Sequence, residues 1–215
     1  MIDKKTDIES LRKHLKQELC KPLPGMSAHK KIIPYFPDNV PEYFNYNQKL
    51  RNAAVLIVLS EEKGEVKTVL IERVPDAGPH SGQIAFPGGR REETDLDLIE
   101  TALREAHEEV GISISRDNII GSLTPVQIPI SRYSVLPVIC TTDHIEELIR
   151  CEDEVNRIFT VDLFNMLADE SVRPVRAREM IIDAPSFAFD DQIVWGATAM
   201  VLRELKEVIS QFSDL

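Results

Sequence analysis

The sequence predicts an α/β (α+β) fold, a mixed sheet sandwiched between helices, and three observations carry that prediction. Short apolar runs rich in β-branched residues recur between positions 52 and 182 and read as strands. One amphipathic helix interrupts them at about 96–110, and a second helical pattern follows at 197–211. With 215 residues, 43% of them hydrophobic, the chain can bury a full core in one domain carrying a terminal extension.

In chain order, residues 7–19 place Ile8, Leu11, Leu15 and Leu19 at spacings of three and four, which predicts a helix. Residues 21–48 are proline-rich without a stable period and read as an extended arm on the main domain. The expected division is therefore an arm with its helix at 1–50 and a main domain at 51–215. Residues 52–59 form a continuously apolar run, as in a buried strand, with a turn at 61–64 and a hairpin partner at 66–72. A short strand at 82–86 is broken by Pro87 and a Gly88-Gly89 turn. Thr94 or Asp95 can cap the helix that follows, and Gly111 stops it. Further strands are expected at 118–127, 134–141, 155–160 and 172–182, with a short helix at 161–168.

The central helix carries the chemistry. At 100° per residue, Glu105, Glu108 and Glu109 fall within an arc of roughly 100°, and Ile99, Leu103, Ala106 and Val110 within roughly 60° on another stripe. One stripe can bury against a sheet while the other presents oxygens. Carboxylates at i, i+3 and i+4 repel one another. A divalent cation removes that repulsion and gains the hard oxygen ligands that Mg²⁺ and Mn²⁺ prefer. A solvated acidic face is the plainer reading of the triplet alone; the glycines ahead of it favour a site.

The pattern from Gly89 through Arg104-Glu105-Ala-His-Glu108-Glu109-Val-Gly111 resembles the signature of the Nudix hydrolases. In that family a loop-helix-loop holds divalent metal against the diphosphate of a nucleotide-like substrate. Asp95 stands where the family usually has Glu, and Arg104 comes one position later than usual. The stretch 69–89 is similar to the accessory motif of the coenzyme A pyrophosphatase subfamily, with Leu70, Arg73, Gly82, Phe86, Pro87, Gly88 and Gly89 in register. Ile71, Val74 and Gly78 depart from it, Gly78 replacing an arginine able to clasp phosphate. The later Arg104 and the Asp at 95 are what that subfamily tends to show. Residues 193–199 also resemble its closing segment.

The resemblance implies a Nudix-like α/β/α sandwich and Mg²⁺- or Mn²⁺-dependent hydrolysis of coenzyme A or its thioesters. It implies Glu105 and Glu109 as metal ligands and Glu108 as ligand or base. Arg104, next to the triplet, can hold a carboxylate in place. Gly88 and Gly89 allow close backbone approach to metal-bound phosphate. Arg73 is either a phosphate contact or a salt-bridge partner. His80 is a substrate contact, a base or a structural group, and Gly82 belongs to the same binding loop. Glu152, Asp153 and Glu154 are candidates for a ligand or base outside the helix. Arg176 and Arg178 share a strand face that is either solvated or phosphate-binding, and Trp195 is core or an adenine platform. Rival readings are another nucleoside diphosphate derivative, such as ADP-ribose or a dinucleotide, and a catalytically silent ligand-binding module.

Composition narrows the partners. A net charge of −11 and a pI near 5.0 argue against a nucleic-acid backbone. Cys20, Cys140 and Cys151 share no metal-binding spacing and read as reduced thiols. No apolar run approaches the ~18 residues of a membrane span, and residues 1–15 lack a signal core, so a cytoplasmic protein with no membrane partner is expected. The arm and the apolar content are compatible with a homodimer.

Overall fold

A computed structural model describes residues 7–34, 49–75, 80–145, 147–177 and 180–210. The longest apolar run forms the longest strand, β1 (Arg51–Glu62). Its alternate residues enter two different cores. Ala54, Leu56 and Val58 face one helix, α3 (Leu98–Val110), while Ile57 and Leu59 face α1 (Ile8–Glu18) and α5 (Gly196–Ile209). Burial on both faces explains why the run is continuous rather than alternating. Helices on either side of one sheet make the expected α/β/α sandwich.

Around β1 lie β2 (Glu65–Arg73), β3 (Ile84–Ala85), β4 (Gly88–Arg90), β5 (Ile119–Ser122), β6 (Val126–Ile128), β7 (Tyr133–Thr141) and β8 (Val155–Asp162). The path β3-β2-β1-β7-β5 is extended by β4 on β1, β6 on β7 and β8 on β2. The β1–β7 pair is parallel and the others are antiparallel, so the sheet is mixed. A separate antiparallel sheet joins β9 (Glu170–Ala177), β10 (Met180–Phe189) and β11 (Gln192–Val194). The short α4 (Leu163–Ala168) follows β8 directly.

Four expectations are corrected. The glycine pair is not a turn: Gly88 and Gly89 are paired in β4 with Val55 and Ala54. Glycine has little strand propensity, and only the neighbour across the sheet explains the pairing. The segment 118–127 divides into β5 and β6, which pair with different parts of β7. The segment 172–182 is two strands of a hairpin rather than one, with no Gly, Pro, Asn or Asp between them to announce the reversal. Within the arm, Met26–His29 form a helical turn, α2.

The arm is tied down at one buried carboxylate. Glu204 of α5 accepts hydrogen bonds at Oε1 from Gly25 N (2.9 Å) and Thr124 Oγ1 (2.6 Å) and at Oε2 from Thr124 N (3.1 Å), and Oε2 also lies 3.0 Å from His29 Nε2. A fully enclosed carboxylate survives only with this degree of pairing. The three cysteines are free, and no helix among the described residues is long and apolar enough to cross a membrane. Gly78 and Arg178 lie outside the described residues.

Candidate active site

The central helix is fixed at both ends. Its N-cap is Asp97, not Thr94 or Asp95, with Oδ1 accepting from Ile99 N and Glu100 N at 3.0 Å each. Arg116 pairs with the same carboxylate. At the other end Gly111 takes the left-handed conformation (φ 75°).

Asp95 organises the loop instead of capping. Buried, it accepts from Glu92 N (2.9 Å), Thr101 Oγ1 (2.9 Å), Arg104 Nε (2.9 Å) and Arg104 Nη2 (3.1 Å). The Arg104 guanidinium, first, and these hydrogen bonds hold its carboxyl well below the usual range. Arg104 also reaches Arg90 O (3.1 Å), Glu105 Oε1 (3.0 Å) and Glu108 Oε2 (2.8 Å). One guanidinium thus joins β4, the loop and the acidic face.

The triplet does not point uniformly outward. Glu109 is 1% and Glu105 8% exposed, whereas the Glu108 side chain is 57% exposed. Glu109 Oε2 accepts from Gly88 N at 2.8 Å, and Oε1 lies 3.4 Å from Arg73 Nη1. Burial pushes the Glu109 carboxyl up to about 7, with Glu105 and Glu154 adding to the effect against Gly88 and Arg73. Burial also raises Glu105, helped by Glu108 and Glu154 and opposed by Arg104. Glycine at 89 has a steric reason: a Cβ there would lie 2.5 Å from Glu105 Cδ. At Gly88 it would lie 2.5 Å from Val55 Cα.

A cavity of about 470 Å³ opens beside this cluster, lined by Arg73, His80, Gly88, Gly89, Arg104, Glu105 and Glu108 among others. Glu109 lies behind it, under Gly88. Of the acidic trio beyond the helix, only Glu154 lines the cavity; Glu152 pairs with Arg150, and Asp153 is exposed. Cys151 N donates to Glu109 O (3.0 Å) and Ile149 N to Val110 O (3.0 Å), so the helix's last turn docks the loop that carries Glu154. His80 Nδ1 lies 3.0 Å from Gln83 Oε1. Gly82 is exposed, and neither it nor Arg176 nor Trp195 lines the cavity; Trp195 packs with Val175, Ile182 and Ala184. Thr198 Oγ1 donates to Ile84 O at 2.9 Å, joining the segment 193–199 to the cavity wall. Sequence reasoning missed Ser131, Tyr133 and Val135 on this wall. Their only trace is the alternation of Tyr133 and Val135 along β7.

Among the described residues, no three His, Cys, Asp or Glu side chains are gathered closely enough to hold a metal ion as they stand. Arg104 Nη1 contacts both Glu105 and Glu108, and Arg73 faces Glu109. The donor set nonetheless fits a hard divalent cation. In Glu105 and Glu109, burial first and neighbouring carboxylates second raise the proton affinity, the electrostatic condition that a cation relieves.

The family model described as NUDIX domain matches residues 50–178. The chain belongs to the NUDIX family. Proteins named Nudix hydrolase NudL from Yersinia pestis and Yersinia pseudotuberculosis are 30% identical over 176 residues, covering 81% of this chain and 88% of theirs. A MutT/nudix family protein from Enterococcus faecalis has a similar fold, with a TM-score of 0.50 at 17% identity over 95% of this chain and 75% of that one. A MutT protein from Methanosarcina mazei Go1 also gives a TM-score of 0.50, at 18% identity over 76% of this chain and 96% of that one. This NUDIX chain is thus a Nudix pyrophosphohydrolase, and Nudix hydrolases generally use divalent metals such as Mg²⁺ or Mn²⁺.

Proposed function

We propose that this NUDIX enzyme hydrolyses the diphosphate of coenzyme A or its thioesters, giving 4′-phosphopantetheine and adenosine 3′,5′-bisphosphate. The observation that carries the reading is the accessory motif, whose in-register Arg73, Phe86, Gly88 and Gly89 line one cavity with the acidic helix. Glu105, Glu108 and Glu109 would hold Mg²⁺ or Mn²⁺, which neutralises diphosphate charge and stabilises the leaving phosphate. Gly88 and Gly89 let the diphosphate approach the backbone, and Arg73 supplies a cation at the same wall. Arg104 holds Glu105 and Glu108 in position through Asp95. Glu154, acidic and set on a loop anchored to the helix end, orients the attacking water and accepts its proton. His80, which also lines the cavity, contacts substrate, and Gly82 shapes its loop.

In this reading residues 51–215 form the catalytic domain, residues 1–50 an arm packed on it, and the enzyme works in the cytoplasm as a homodimer. Glycine at position 78, where the subfamily motif has arginine, favours a second reading: ADP-ribose or a dinucleotide as substrate. Both are decided by assaying coenzyme A, acyl-coenzyme A, ADP-ribose and dinucleotides with Mg²⁺ or Mn²⁺ and with EDTA. Turnover of coenzyme A compounds above the others supports the first. Turnover of ADP-ribose or dinucleotides with coenzyme A ignored replaces it with the second.

A further inference from the structure

The cavity has two chemically unlike limbs. One holds the carboxylates; the other is walled by Val126, Ile128, Tyr133 and Val135, with Val201 from α5. Strand register puts Ile128, Tyr133 and Arg51 in one row across the sheet, and Val126, Val135, Ala53 and Arg90 in the next. Residues opposite one another on neighbouring strands share a face, so the apolar limb runs along the sheet away from the glycines of β4. Two strand spacings, roughly 10 Å, separate β7 from β4.

Two observations single out the far end of this limb. The Arg51 guanidinium lies 4.3 Å from the centroid of the Tyr133 ring, while its Nη2 donates to Ser131 O at 3.2 Å. This pair fixes a half-buried aromatic side chain on the cavity wall. Ser131 also lines the cavity, and its buried Oγ has no hydrogen-bond partner among the described residues. Buried hydroxyls are ordinarily satisfied, and a rotation about χ1 would offer this one to a ligand.

We infer that this limb is the nucleobase subsite of the enzyme and that Tyr133 is its specificity-determining residue. An aromatic ring beside a planar guanidinium suits a flat π-system, which gains stacking and cation–π energy together. An aliphatic chain gains nothing from the ring or the charge beyond contact area. The Ser131 hydroxyl is placed to read the edge of the base. The inference rests on the diphosphatase reading of the carboxylate limb but is independent of which adenine nucleotide is the substrate.

The test is binding to the full chain with Mg²⁺, by calorimetry, of AMP, ribose 5-phosphate and 4′-phosphopantetheine. Tyr133→Leu is expected to weaken AMP at least tenfold and to leave ribose 5-phosphate within twofold, while Tyr133→Phe binds AMP within about threefold of the original. Equal loss of AMP and ribose 5-phosphate, or no loss of AMP, would overturn the assignment. Loss confined to 4′-phosphopantetheine would overturn it too and give the limb to the pantetheine arm. A second measurement needs no folded leucine variant. An intermolecular nuclear Overhauser effect is expected between an adenine proton of AMP and a tyrosine ring of the unsubstituted protein, vanishing in Tyr133→Phe; its absence refutes the proposal. AMP is a fragment shared by coenzyme A and ADP-ribose, so failure here leaves the substrate panel standing, and the reverse.

Discussion

The carboxylate of Glu105 occupies the space that a side chain at Gly89 would take, with Cδ 2.5 Å from the position of a Cβ there. Gly89 does not have positive φ, so its role is clearance rather than backbone freedom. Gly89→Ala should therefore displace the Glu105 carboxylate, a proposed metal ligand, without straining the chain. The expected result is at least a tenfold loss of turnover and weaker Mn²⁺ binding, with a melting temperature in EDTA within a few degrees of the original. Melting and rate losses in proportion would return Gly89 to a purely structural role.

Glu109→Gln should abolish turnover, by at least ~100-fold or about 2.7 kcal/mol of barrier. Its effect on the metal-free fold has the opposite sign. The folded carboxyl titrates near 7 against an ordinary 4.5, so folding favours its protonated form. That stability is present below pH 4.5 and lost as pH rises through 7, a penalty on the order of 3 kcal/mol above it. In EDTA at pH 8 the glutamine variant should melt higher than the original, the gap closing below pH 4.5. Near-normal activity would remove Glu109 from the site.

Glu154 and Glu152 are separated by one residue and by their surroundings. If Glu154 handles the water, Glu154→Gln should lower kcat at least tenfold and change KM little. Glu152→Gln, which loses a surface pair with Arg150, should keep full activity. Equal effects of the two substitutions would count against a distinct base.

Asp95→Asn breaks the pair with Arg104 in a buried setting and should cost about 2 kcal/mol at neutral pH, read by denaturant unfolding. The Asp95 carboxyl is depressed when folded, so its contribution is present above its ordinary 3.8 and lost as pH falls below it. The stability difference between variant and original should shrink in acid. A difference independent of pH would show that the ion pair is not its source.

Glu204→Ala leaves Gly25 N, Thr124 N and His29 without their buried acceptor and should destabilise the fold by about 3 kcal/mol or more. Hydrogen exchange at residues 25–32 should rise most. Protection there equal to the original would mean that the arm is held by other contacts.

The sequence by itself determined the periodic elements and the chemical inventory. The unbroken apolar run of β1 announced a strand buried on both faces, and the spacing of Glu105, Glu108 and Glu109 announced a helix that gathers carboxylates. These are local properties, set by the period of helix and strand and by residue type. Residues whose role depends on a partner far along the chain were not legible. Asp95 reads as a cap because capping is a short-range rule, yet Arg104, nine residues on, takes its carboxylate and leaves the cap to Asp97. Gly88 and Gly89 looked like a turn until β1 paired with them. Glu154 could not be told from Glu152 or Asp153 until the end of α3 docked their loop. Tyr133 joined the cavity only through its row partners on β6 and β1. Strand pairing and burial are long-range events, and burial, the largest cause, moved the Glu109 carboxyl to about 7, an effect no side-chain identity carries in isolation.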